Sequence, residues 1–178
     1  MKNYFEAFTI PYWQTKVIDW EYKKKSLLSL HYNNKHNMCG GDEQYTDYNS
    51  KNSYHSQVQS ILLDDLYSAR KALNLEHHTL RVTTAWFQMY EQYHHHPIHN
   101  HGINGFSSVC YIEYDHNEHE PTRFVCPFNS YINNDMIEFI PNDIEEGSIV
   151  FFPSNVPHYV APNKSTKPRL ILSFNITY

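Results

Sequence analysis

Beyond residue 80 the sequence breaks into seven short runs, RVTTAWFQMY, FSSVCYIEY, TRFVCPF, MIEFI, SIVFFP, HYVAP and RLILSFNITY, separated by turn-forming residues. Their β-branched and aromatic side chains fit a pleated, half-buried surface, and none of the runs carries a helical period. Seven such runs in about 98 residues specify an antiparallel sandwich, a jelly roll or a small barrel. The wider composition, with 15 Tyr and 10 Phe but only 5 Gly, follows the same pattern.

The first 80 residues read differently. An aromatic extended start (Tyr4, Phe5, Phe8, Ile10) leads into a short helix expected over 19–31, with Trp20, Leu27, Leu28 and Leu30 as its apolar positions. Residues 31–56 are rich in Asn, Ser and Tyr and hold the one Gly-Gly pair, which predicts a long loop acting as a flap. From 58 to 75, Ile61, Leu62, Leu66, Ala69 and Leu73 recur at three- and four-residue spacing, the mark of an amphipathic helix. The expected organisation is a single domain, 1–178, mostly β with N-terminal helices. In it, residues 1–80 form a helical support and loop, and 81–178 form the β core.

Charge and composition exclude several functions. A net charge of -5 leaves no basic patch for a phosphate backbone, so nucleic acid is not an expected partner. No apolar run reaches the ~20 residues of a membrane-spanning helix, and the N-terminus lacks a signal peptide's apolar stretch, so a soluble cytoplasmic protein is expected. Cys39, Cys110 and Cys126 have no C-x-x-C spacing and are expected to be free thiols.

Thirteen histidines are the anomaly, and seven of them fall between His94 and His119. Imidazole is the commonest metal ligand, although any single histidine more often packs or is solvated. His99 and His101 form an H-x-H pair just before the strand beginning at Phe106, and residues i and i+2 of an extended chain share a face. His158 follows the SIVFFP strand and a short turn, which suits a third ligand returned to the same mouth. His94 and His96 make a rival H-x-H pair. Pro97 separates them from the strand, so the triplet His94, His95, His96 reads as an approach loop. His31, His36, His55, His77 and His78 are assigned to surface or helix.

The stretch HNHGINGFSSVCYI, followed by EEGSIVFFPSNVPHYVAPNKSTKPRLILSFNI, resembles a phage and bacterial group of 2-oxoglutarate/Fe(II)-dependent oxygenases related to prolyl hydroxylases. The matching positions are His99 and His101, residues 107–111 with Ser108 in place of a Gly, residues 147–153, His158 and residues 169–175. The resemblance runs from Trp86 to the C-terminus and is looser over the helices.

That resemblance implies a double-stranded β-helix, a jelly-roll or cupin-like barrel whose mouth holds Fe(II), 2-oxoglutarate as cosubstrate and O2. His99, His101 and His158 would ligate the metal. Arg169, eleven residues after His158, would bind the distal carboxylate of 2-oxoglutarate, assisted by Tyr111 and Ser173, with Gln88 facing the cosubstrate. The implied reaction converts 2-oxoglutarate to succinate while hydroxylating a protein side chain such as prolyl or a small molecule. The implied location is the cytoplasm, the host's where the gene belongs to a phage. Most such enzymes use H-x-D, whereas this chain offers H-x-H, which makes the centre one charge unit more positive. Two other readings remain open. Residues 147–158 also fit a cupin motif, G-x5-P-x4-H, although Gly105 or Phe106 stands where the first cupin motif wants Glu. A barrel without activity could instead serve as an interaction module, and the aromatic N-terminal strand offers an edge for a homodimer.

Overall fold

The computed structural model describes residues 9–41, 43–50 and 53–178. Its elements run β1 (Trp13–Lys16), α1 (Trp20–Asn34), a turn of 3-10 helix (Lys35–Asn37), β2 (Cys39–Gly40), β3 (Tyr45–Thr46), α2 (His55–Ile61) and α3 (Leu63–Ala72). Then come β4 (Arg81–Tyr90), β5 (His96–His99), β6 (Phe106–Glu113), β7 (Arg123–Val125), β8 (Glu138–Phe139), β9 (Ser148–Pro153), β10 (His158–Val160) and β11 (Arg169–Thr177). Each of the seven runs expected as strands contains one, and RVTTAWFQMY and SIVFFP coincide with β4 and β9.

The strands make two antiparallel sheets. The larger has the order β1-β9-β6-β11-β4-β3-β2 and the smaller β5-β10-β7-β8. Between them lies one core cluster that includes Tyr90, Val109, Tyr111, Phe152, Val160 and Ile171. On the other face of the larger sheet, Leu27, Val58, Leu62, Leu66 and Ala69 of the helical layer pack with Phe87, Cys110, Phe151, Leu170, Leu172 and Phe174. Successive residues of β11 therefore serve two cores, as the two-residue period of a strand requires. This is the double-stranded β-helix, with helices backing one sheet.

Several local expectations are corrected. The helix expected over 19–31 runs from Trp20 to Asn34, with Asp19 before it in a left-handed conformation (φ 53°). The helix expected over 58–75 starts at His55, breaks at Leu62 (φ -99°, ψ 22°) and ends at Ala72, while Val58, Leu62, Leu66 and Ala69 all join the core against the sheet. The flap expected over 31–56 is in its described part tied to the barrel. Thr46 pairs with Gln88 and Tyr45 with Met89. The buried Asp47 extends that ladder, accepting the Phe87 N–H (2.8 Å) and the Tyr54 hydroxyl (2.6 Å). Desolvation pushes the Asp47 carboxyl pKa up, and those two hydrogen bonds oppose the shift. Tyr4, Phe5 and Phe8 lie outside the described residues, while β1 pairs with β9 and sets Trp13 on Phe151 (5.3 Å between rings).

One contact fixes the helical layer to the barrel, and a second ties its helices α1 and α3 together. Gly147 (φ +84°) lies so close under Trp20 that a Cβ there would come within 2.8 Å of the indole. Lys23 and Asp65 form a buried ion pair, Nζ to Oδ2 at 2.7 Å, and Asp65 Oδ1 accepts the Ile18 N–H at 2.8 Å. Removing one charge of such a pair strands the other in a low-dielectric interior, which costs about 3–5 kcal/mol. Asp65→Ala is therefore expected to lower unfolding stability by about that amount. Lys23→Met with Asp65→Asn, which removes both charges and keeps an acceptor for Ile18, should cost clearly less in urea titrations. Equal losses in the two variants would contradict the pairing.

Candidate metal centre

β5 and β10 carry the site through their register. His99, the last residue of β5, lies opposite His158, the first of β10, yet Val160 lies opposite His96, so β5 holds one residue more than its partner between the two pairs. An extra residue reverses side-chain parity locally, which turns residues three apart to the same side. The rings of His96 and His99 accordingly stack with centroids 3.9 Å apart. His96 thus belongs to the site's surroundings and to a strand, not to an approach loop. Pro97 fits within β5 because the strand lies at a sheet edge. His101 sits beyond β5 and is held by its own N–H, which donates to the Ser154 carbonyl (2.8 Å). Its ring stacks on Trp86 at 5.2 Å and on His158 at 5.0 Å.

Ligating atoms of His99, His101 and His158 all fall within 4.8 Å of one another. The other nitrogen of each ring is engaged by an acceptor: His99 Nδ1 by the Pro97 carbonyl (2.8 Å), His158 Nδ1 by the Val156 carbonyl (2.9 Å) and His101 Nδ1 by Asn175 Oδ1 (3.1 Å). These oxygens have no proton to give, so each Nδ1 carries the hydrogen and each Nε2 presents a bare lone pair. His101 Nε2 is buried with no hydrogen-bond partner, a costly state for a polar atom that a cation would relieve. The three residues therefore fit a divalent metal.

Electrostatics agree. Burial, reinforced by neighbouring imidazoles, lowers the pKa of His158 to about 3, His96 to about 3 and His101 to about 4. Burial also lowers that of His99, against the opposing pull of the Pro97 carbonyl. All four rings are neutral near pH 7, the form in which imidazole ligates.

Arg169, Tyr111, Ser173 and Gln88 lie deeper on the same side of the larger sheet. Arg169 opens β11 and is only 2% exposed. Its guanidinium donates to the Glu120 carbonyl (2.8 Å) and to Thr122 Oγ1 (3.2 Å), while its Nε is buried without a partner. The rings of Tyr90, Tyr111 and Tyr114 stand 5.3 to 5.8 Å from it. Tyr111 and Tyr114 both reach this side because the β6–β11 register slips between Leu170 and Ile171. No carboxylate pairs with this guanidinium among the described residues. Tyr111 Oη accepts the Thr122 N–H (3.1 Å), leaving its own proton to donate. Ser173 donates to Gln88 Oε1 (2.8 Å), and Gln88 Nε2 lies 3.0 Å from Tyr90 Oη and 3.2 Å from His96 Nδ1.

The three metal candidates share a narrow void of about 10 Å³ with Gln88, Tyr90, Thr122 and Ser173. On their outer side opens a cavity of about 460 Å³, walled by His96, His99, His101, Trp86, Asn175 and residues of the β3 segment. Two participants were not foreseen from sequence, His96 and Asn175. A bulge leaves no trace in the sequence. Asn175, however, shares the parity of Arg169 and Ser173 along the last run, and that signal was available.

A family model described as "Putative 2OG-Fe(II) oxygenase" matches residues 84–175, just over half the chain and every side chain of this centre. No curated protein sequence matches. Among solved structures, a prolyl-4-hydroxylase from Pseudomonas putida superposes with a TM-score of 0.61 at 15% identity, covering 96% of this chain and 94% of that one. SnoK, a non-heme alpha-ketoglutarate-dependent carbocyclase from nogalamycin biosynthesis, gives 0.66 at 13% identity over 93% of this chain and 78% of that one. The viral collagen prolyl hydroxylase of Paramecium bursaria Chlorella virus-1, solved with 2-oxoglutarate, gives 0.61 at 11% identity over 93% and 94%. At these identities the likeness shows the fold.

The lowered histidine pKa values determine how the metal-free protein responds to acid. In the unfolded chain these imidazoles take up protons near 6.5, in the folded one near 4 or 3. Between those values the unfolded state binds more protons, so stability falls as pH drops through 6.5 toward 4. The slope reaches ~1.4 kcal/mol per pH unit for each of His96, His101 and His158. Urea midpoints of metal-free protein measured from pH 7.5 to 4.5 should show that loss, and His158→Ala should make it shallower. A flat wild-type profile would contradict the buried neutral cluster.

Proposed function

The chain belongs to the 2-oxoglutarate/Fe(II) oxygenase family, and from that premise we propose that it is a hydroxylase whose metal is held by His99, His101 and His158 and whose 2-oxoglutarate is anchored by Arg169. One observation carries this reading: a guanidinium buried without a carboxylate partner among the described residues lies in the barrel whose mouth gathers three neutral, proton-directed imidazoles. Burying an unpaired cation is costly, and a ligand carboxylate is what would offset it. A plain cupin has no such need, which favours the keto-acid reading over a cupin centre.

When bound, Fe(II) with 2-oxoglutarate and O2 supplies the oxidising chemistry: the keto acid loses carbon dioxide to become succinate, and one oxygen atom enters a substrate C–H bond. The protein's own groups prepare for that. Each Nδ1 hydrogen bond holds an imidazole at fixed rotation and tautomer, so the Nε2 atoms converge without reorganisation. Arg169 offers a planar fork to a planar anion, and the Tyr111 hydroxyl proton lies beside it. The Tyr90, Tyr111 and Tyr114 rings exclude water and strengthen that charge pairing. The inner void has room for about one water, so a keto acid spanning the histidines and Arg169 would need side chains that line it, Gln88 and Ser173 among them, to move. The described residues lining the outer cavity are carboxamide, hydroxyl, imidazole and aromatic groups, with no ionic side chain among them, which suits an uncharged reacting group on a peptide or a small molecule.

Anaerobic titration with Fe(II) and then 2-oxoglutarate is expected to produce the weak visible charge-transfer band of a chelated keto acid. His158→Ala should abolish it by removing the metal. Arg169→Ala should retain metal binding but weaken 2-oxoglutarate binding by about 100-fold, the loss of a charge-assisted fork. Metal binding with no band at any 2-oxoglutarate concentration, or Arg169→Ala with unchanged affinity, would defeat the proposal.

A further inference from the structure

Three hydroxyls and one carboxamide surround the outer edge of His101. Asn175 Oδ1 lies 3.1 Å from His101 Nδ1 and accepts the Ser107 hydroxyl at 2.8 Å. Asn175 Nδ2 donates to Thr84 Oγ1 at 3.0 Å. Ser107 Oγ in turn lies 3.0 Å from Ser154 Oγ, and the Ser154 carbonyl accepts the His101 N–H at 2.8 Å. The imidazole is thus held at both its backbone and its ring by one small polar network.

We infer that Asn175 is a positioning residue that fixes the tautomer of His101 and so makes it a metal ligand. This rests on the three-histidine reading above. The other two candidate ligands take their tautomer from backbone carbonyls two residues before them, Pro97 and Val156, which the chain supplies locally. His101 has no such carbonyl and depends on a side chain 74 residues away in sequence. A carboxamide presents one acceptor and one donor end. In the structure Nδ2 is turned to the Thr84 hydroxyl and Oδ1 to His101. An acceptor there requires the proton on Nδ1, and the unpartnered Nε2 follows as the lone pair aimed at the site. Without Asn175 the ring is free to protonate Nε2, which blocks ligation, or to rotate off the Trp86 face.

The test compares wild type, Asn175→Leu, which removes the acceptor at similar size, and Asn175→Asp, which restores an acceptor and strengthens it. Two readouts are taken: binding of cobalt(II) alone, followed by its visible bands under anaerobic conditions, and the 15N ring shifts of His101 in metal-free protein. Asn175→Leu should bind cobalt(II) about 10- to 100-fold more weakly, the usual effect of losing such an outer partner. Asn175→Asp should bind at least as tightly as wild type. Metal-free wild type should show His101 mainly as the Nδ1–H form, and Asn175→Leu should lose that preference. The inference fails if Asn175→Leu binds within twofold of wild type, if Asn175→Asp is as weak as Asn175→Leu, or if wild-type His101 is mainly Nε2–H. That last measurement decides even where Asn175→Leu does not fold. Failure of the three-histidine reading looks different: wild type binds no cobalt(II), or His158→Ala leaves binding unchanged.

Discussion

β11 lies at the centre of the larger sheet, paired on both sides, and every second side chain along it does a different job. Leu170, Leu172, Phe174 and Ile176 enter the core under the helices, while Ile171 enters the barrel core. On the barrel side, Arg169 touches the tyrosine cluster, Ser173 meets Gln88 and Asn175 meets His101. A one-residue slip of this strand would put a guanidinium beneath the helices and leucines into the site. Two cores specify the register, and the register sets the order of the polar groups along the strand: guanidinium, hydroxyl bridge to Gln88, carboxamide at His101. The fold and the centre thus depend on the same hydrophobic alternation.

Within that frame, charge is arranged sparingly. The imidazoles are kept neutral by burial, so the histidine cluster adds no positive charge of its own near pH 7. The lasting cation is Arg169, whose burial is eased by one carbonyl, one hydroxyl and three aromatic faces, none of them ionic. A protein of net charge -5 repels an anionic cosubstrate at long range. Attraction therefore has to be local, where low dielectric makes a single guanidinium count for more than it would in water.

How much of this is legible in the sequence follows from the range of the forces involved. The β runs are visible because strand alternation is local, and His99, His101 and His158 stand out because short spacings and turn residues record them. Arg169 and Tyr111 needed a family resemblance, since a strand arginine and a strand tyrosine have no local signature. The polar segment from 31 to 56 reads as a flap by composition. What ties its described part down is Asp47 meeting Phe87 and Tyr54 across 40 and 7 residues, a contact that composition does not encode. His96 was misread for a related reason. The register irregularity that turns it inward belongs to the pairing of β5 with β10, not to either strand alone.

The same reasoning bears on the one departure from the usual ligand set. A carboxylate at position 101 would be acceptor-only and would ask its neighbours for protons. The neighbours here are an amide oxygen facing inward and hydroxyls able to turn either way. Such a shell suits a ring nitrogen that brings its own proton, and it would have to reverse the Asn175 amide to suit a carboxylate. Histidine at 101 is therefore matched by its surroundings, not tolerated against them. The described groups hydrogen-bonded around His101 are all neutral, so none of them returns the negative charge that H-x-D would have contributed. The extra positive charge on a bound metal must then be met by the anionic cosubstrate itself, which ties cosubstrate affinity to the metal more strongly than in a carboxylate-bearing centre.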